Sequence, residues 1–200
     1  METISLVENY FGEVKGIADE ISKEKIADIV NALYEAWKRG SHIYIIGNGG
    51  SASTATHFKC DLEKSTIVEG KQRFRATALV DNIPLVSALV NDNGWSEVYV
   101  EQLKNVFNKK DVVIAISVHG SSGKDKAGLW SQNLLKAMQF AKDNGGVTIG
   151  MAGFDGGVMK DVADYCIVVP KDSTPHVESF HVVIAHLICQ CLKEKIEKES

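Results

Sequence analysis

Apolar positions recur at helical spacing over residues 3–20 and 24–39, and the second run stops at "RGSH", where Gly40 is placed to end a helix. The pattern then changes. Ile43, Tyr44, Ile45 and Ile46 form a short unbroken apolar run of β-branched and aromatic residues, which reads as a strand of a parallel sheet. A helix over 51–63 follows, then a strand over 75–80. Residues 81–107 hold a short helix, a turn at Asn91 to Gly94 and a helix over 97–107. Strand 111–117, helix 130–143, strand 147–153, a short helix around 157–163 and strand 165–169 come next, and 173–198 is a closing helix. Five short apolar strands alternating with helices predict an α/β fold with a parallel sheet, and such folds bind ligands at the C-terminal ends of their strands. With no internal repeat and no linker, residues 1–200 read as one domain.

Composition narrows the class. Twenty-two basic side chains stand against 26 acidic ones, for a net charge of −4, and no basic stripe appears, which argues against nucleic-acid binding. No apolar run reaches the length of a membrane span, and "METISLVENYFGEVKG" lacks the layout of a signal peptide. Cys60, Cys166, Cys189 and Cys191 show no CxxC pairing, so reduced thiols are expected. These features predict a soluble cytoplasmic protein.

The chemistry begins at "IYIIGNGGSASTATHFKCD", residues 43–61. Gly47, Gly49 and Gly50 let the chain turn sharply and bring backbone N–H groups close to a ligand. The positive end of the following helix points at the same spot, so the natural guest is an anion such as phosphate. The spacing is neither the dinucleotide fingerprint nor a P-loop, and alone it would suit a tight strand-to-helix turn. A second loop tips that balance. After strand 111–117 come Ser117, His119, Gly120, Ser121, Ser122 and Gly123, again hydroxyls and glycines at the end of a strand. Four residues apart on their helix, His57 and Asp61 share a face and offer a metal or acid–base pair.

"GNGGSAS…HF…D" after one strand, "S-x-x-G-x-S" after a later one and "E-x-x-H…H" in the last helix resemble the sugar isomerase (SIS) domain family, and within it the phosphoheptose isomerases. The likeness runs through nearly the whole chain. It implies a three-layer αβα sandwich and a homotetramer with sites at subunit interfaces. The implied activity is aldose–ketose isomerisation of a phosphosugar, with one divalent metal, zinc in particular, in each subunit. Carried onto this chain, the metal ligands fall at His57, Asp61, Glu178 and His186, where Asp61 stands in place of a Glu and Glu178 in place of a Gln. The substrate side takes in Asn48, Gly49, Gly50, Ser51, Ser117, Ser121 and Ser122, with Asp92 of "NDNG" near the sugar hydroxyls.

Spacing qualifies this set. Glu178 and His186 lie about 12 Å apart along a helix, whereas His181 is one turn from Glu178 on the same side, so spacing alone leaves either histidine open. The resemblance favours His186. It also implies Asp61 as base and His186 as acid for proton transfer through an enediol. His119 stands where the family has a hydroxyl residue, and is a further base able to titrate near neutral pH. That change and the long segment 123–132 put the heptulose itself in question and predict a loop that closes over a related phosphosugar. The alternative is a non-catalytic SIS protein that binds phosphosugars in a regulatory or scaffold role.

Overall fold

The computed structural model describes residues 2–121 and 131–199. Ser122 and the segment up to Trp130, including most of the expected closing loop, lie outside the described residues.

Two helices, α1 (Thr3–Glu20) and α2 (Lys23–Lys38), lead into strand β1 (His42–Gly47). Helix α3 (Gly50–Lys64), strand β2 (Arg75–Ala78), helix α4 (Ile83–Asn93), a 3₁₀ turn (Trp95–Glu97) and helix α5 (Val98–Val106) follow. Strand β3 (Val112–Ile116), helix α6 (Gln132–Asp143), strand β4 (Val147–Gly153), helix α7 (Met159–Val162), strand β5 (Tyr165–Val169) and helix α8 (Thr174–Glu197) complete the chain. The expected turn at 91–94 is the last turn of α4 instead. Asn82 caps that helix by accepting from the Leu85 N–H, Pro84 fits its first turn, and the helix holds until Gly94 takes a φ of 87°. Strand β2 ends at Ala78, two residues short of the expected boundary.

All four strand pairings are parallel, and the order is β2-β1-β3-β4-β5. Side-chain alternation divides the core between the faces of the sheet. Ile43 and Ile45 join Val112, Ile114, Ile149 and Ile167 under α2, α3 and α8. Tyr44 and Ile46 join Val113 and Ala115 under α5 and α6. Each β-branched strand residue therefore meets a helix, and the result is the three-layer αβα sandwich. The strand order reverses direction between β1 and β3, so the connections leaving those two strands diverge and open a crevice at their C-terminal ends. Both loops singled out from the sequence leave from those ends.

Helix α1 stands apart from this core. Ile17 is its one buried residue, while Ile4, Leu6 and Phe11 are more than half exposed. It is tied down at the start of α8, where Tyr10 stacks on His176 at 4.1 Å and Glu13 reaches both Lys171 and His176. Among the described residues no helix is long and apolar enough to cross a membrane.

Candidate functional site

Gly47 is the last residue of β1, and a Cβ there would strike the Ser51 carbonyl in the first turn of α3. Gly49 takes φ 56° as the N-cap of that helix, a backbone region that favours glycine. The chain thus passes from strand to helix in three residues. Side chains not anticipated from the sequence hold this turn. The Tyr99 hydroxyl donates to the Gly47 carbonyl at 2.6 Å, and burial keeps that phenol protonated by pushing its pKa up. Asn48 and the fully buried Asn133 exchange amide hydrogen bonds of 3.0 and 2.9 Å, and Asn48 also donates to Ser131. Asn48 is therefore a brace of the loop. Its partner Asn133 lies in the first turn of α6, a polar residue in an otherwise apolar helical stripe, and that break in pattern was the available signal.

Across the crevice, the loop after β3 is bound back on itself, with the Ser121 N–H donating to the Ser117 hydroxyl at 3.1 Å. Ser121 sits at φ 72°, and its buried hydroxyl has no hydrogen-bond partner among the described residues. A strained serine with an orphaned hydroxyl is the mark of a ligand-facing position. A cavity of about 140 Å³ lies here, lined by Asn48, Ser51, Ser117, His119, Ser121 and Glu178 among others. His119 packs its ring 4.2 Å from Phe154 at the cavity wall. The two serine loops expected to bind an anion do meet. Asp92 does not join them; it is exposed at the end of α4, where its carboxylate accepts from the Asn91 amide.

Helix α3 packs on α8, and on the outer side of that contact three further residues converge. His57 Nε2 lies 2.7 Å from His186 Nε2, and Asp61 Oδ2 lies 3.3 Å from each. Among the described residues no hydrogen bond is directed at that buried Oδ2, while Ser65 donates to Oδ1 at 3.3 Å. Two imidazole nitrogens and a carboxylate oxygen aimed at one point form the donor set that a divalent metal takes, and the orphaned oxygen fits such a guest. Both imidazoles are about half exposed, which leaves the cluster open to a ligand from outside.

Glu178, the fourth expected metal ligand, is not part of this cluster. It lies two turns before His186 on α8 and faces the glycine loop, where a Cβ at position 50 would collide with its carboxylate. Separation along the helix axis is the reason. His181, the rival of His186, is excluded from both places. It points into the sheet, fully buried, and donates from Nε2 to the Ala152 carbonyl at 3.2 Å. Desolvation lowers its pKa to about 4. His42, at the start of β1, pairs with the Thr77 hydroxyl at 2.8 Å.

Residues 9–153 match the family model of the SIS domain. The chain belongs to the SIS domain family. Its relatives include phosphoheptose isomerase 1 of Campylobacter jejuni, 36% identical over 96% of this chain and 98% of that protein. Lincomycin biosynthesis protein LmbN of Streptomyces lincolnensis is also 36% identical, over 93% of this chain and 68% of that one. A solved phosphoheptose isomerase from Francisella tularensis superposes with a TM-score of 0.84, covering 97% of this chain and all of that chain at 23% identity, and shares the fold.

The burial of His181 gives a pH dependence with a definite sign. Its folded pKa is depressed below the ordinary value near 6.5, so between that value and about 4 the unfolded chain binds a proton that the folded chain refuses. Stability present above pH 6.5 is lost as pH falls, by about 3 kcal/mol over the whole interval. Urea unfolding at several pH values checks this. The wild type should lose that amount more than His181→Leu does between pH 7 and pH 4, and parallel pH profiles would refute it.

Proposed function

We propose that the protein is a metal-dependent aldose–ketose isomerase acting on a phosphosugar, sedoheptulose 7-phosphate or a close relative. One observation carries this reading: α3 and α8 bear, within one packed pair, both the wall of a serine-lined cavity at the glycine loop and a two-histidine, one-carboxylate cluster. The phosphoheptose isomerases among its relatives support the same class.

In this reading the cavity takes the phosphate end of the sugar. Its 140 Å³ is small against the 300–1,000 Å³ usual for whole-ligand pockets, so the carbon chain extends beyond it. Hydroxyls of Ser51, Ser117 and Ser121 and the backbone at the α3 N-terminus hold the phosphate oxygens. His57, Asp61 and His186 would hold one divalent ion, and zinc suits two imidazoles and a carboxylate with a position left open. Such an ion, when bound, acts as a Lewis acid on the sugar carbonyl. If its Nε2 were given to such an ion, His186 would have no proton to supply from that atom, and His119 in the cavity wall would take the role of proton donor. The exposed apolar side of α1, with Val183 and Leu187 exposed on α8, packs against further copies in a homotetramer.

The isomerase reading is tested with a panel of aldose and ketose phosphates and their unphosphorylated parents. Turnover is expected with a phosphosugar, and calorimetry should find the parent sugars binding far more weakly. Ser51→Ala should cost about 1 to 3 kcal/mol of phosphosugar binding, the range for a hydrogen bond to a charged group. Equal affinity for phosphorylated and plain sugars would refute the phosphate site.

Elemental analysis after purification without chelators should find near one equivalent of zinc or a similar ion. A double variant, His57→Ala with His186→Ala, should lose it, and undiminished metal in that variant would remove the assignment.

Light scattering at micromolar concentration is expected to give a tetrameric mass. A strictly monomeric mass is incompatible with the assembly.

A further inference from the structure

Backbone strain gathers around the serine cavity. Among the described residues four side chains other than glycine sit on backbone with positive φ, and three of them are found here. Ser121 and Ser131 line the cavity at φ 72° and 54°, and Phe154 meets its wall at φ 53°. A bulky ring is the side chain least suited to that region, and it persists there only where its surroundings hold it. Gly156 and Gly157, in the same connection between β4 and α7, also take positive φ, as glycines readily do. Phe154 is the exception among them, and its ring needs a reason.

The reason lies across the connection. The Phe154 ring centroid is 4.2 Å from that of His119, with the two planes inclined at 42°. The backbone on each side of His119 is tied to the segment that carries Phe154. The Gly153 N–H donates to the Val118 carbonyl at 3.0 Å, and the Met159 N–H donates to the Gly120 carbonyl at 3.0 Å. Gly120, at φ 59°, is pressed so close that the Gly156 carbonyl lies where a Cβ would go. Neither segment can carry its ring away from the other. An imidazole turns about two bonds and has two different nitrogens, so it offers one of them to a cavity reliably only when a neighbour fixes its tilt.

We infer that Phe154 is a positioning residue: its ring fixes the His119 imidazole in the cavity wall, where that imidazole meets the phosphate end of the ligand. This rests on the phosphosugar reading above. Phe154 also packs on the core beneath α8, and a role in packing alone would make its ring matter equally whatever stands at position 119. A role through His119 would not. The two are separable by a double-mutant cycle.

The cycle uses wild type, Phe154→Leu, His119→Ser and the double variant, all as full-length proteins purified without chelators. Leucine keeps an apolar side chain on the same strained backbone and removes only the ring. Calorimetry reads the binding of sedoheptulose 7-phosphate and of inorganic phosphate, and the cycle is closed with whichever binds wild type more tightly. With His119 present, Phe154→Leu should weaken binding about three- to tenfold, the range for one aromatic contact. In the His119→Ser background the same change should leave binding within about twofold. Phe154→Met repeats each comparison with a second ringless side chain, should the leucine variant fail to fold.

Proton NMR of the free protein supplies a readout that needs no ligand. The His119 ring resonances, identified by their absence from His119→Ser, should be displaced by the ring current of Phe154. They should stay displaced in Phe154→Tyr and move in Phe154→Leu and Phe154→Met. Equal losses of binding in both backgrounds, no loss in either, or His119 resonances unmoved in the ringless variants overturn the assignment and leave the isomerase reading intact. A wild type that binds neither probe removes the phosphate site of that reading, and this assignment with it.

Discussion

The close approach of β1 to the first turn of α3 is the constraint on which the rest depends. Gly47 leaves no room for a Cβ against the Ser51 carbonyl, so the strand runs into the helix with almost no connecting chain. That brevity puts the positive end of α3 directly over the crevice between β1 and β3 and fixes the heading of the whole helix. Everything α3 carries is then placed by the same turn: Ser51 at its start, His57 two turns on, Asp61 one turn further. The Tyr99 hydroxyl and the Asn48–Asn133 amide pair hold the turn from the opposite layer of the sandwich, so the α5 and α6 side of the sheet positions chemistry that lies on the α3 and α8 side.

Helix α8 shows how one long element serves several purposes by rotation about its axis. Phe180, His181, Ile184 and Ile188 pack inward, and the buried imidazole is kept neutral by the sheet it faces. Glu178 turns toward the glycine loop near the start of the helix, and His186 turns toward α3 further along. Two polar sites with different tasks can share this helix because they are about 12 Å apart along it. The same rotation leaves Val183 and Leu187 on the exposed side. The apolar surface of α1 is likewise left over from a sandwich whose layers are already filled without it.

Much of this was legible in the chain. The switch from helical spacing to the run Ile43 to Ile46 and then to three glycines announces a parallel strand ending in a tight, ligand-facing turn. The five apolar runs between helices define the α/β class. His57 and Asp61 could be read as a pair because spacing on one helix is a local property. The turn at 91–94 misled for a local reason too: "NDNG" looks like a loop, yet the cap at Asn82 and the stop at Gly94 make it a helix end.

Relations between distant segments were not legible in the same way. Whether His181 or His186 completes the cluster depends on how α8 is rotated against the sheet and against α3, a property of packing that no local spacing contains. Asn133 and Tyr99 gave little sign of supporting the glycine loop, because their partners lie 85 and 52 residues away. The sequence by itself determined the elements, the two serine and glycine loops and the residue types available for chemistry, since these follow from short-range periodicity and backbone preference. Only the tertiary structure decided that Asp61 is enclosed by two imidazoles while Glu178 faces Gly50, because the surroundings of a carboxylate are set by which side chains the fold packs against it.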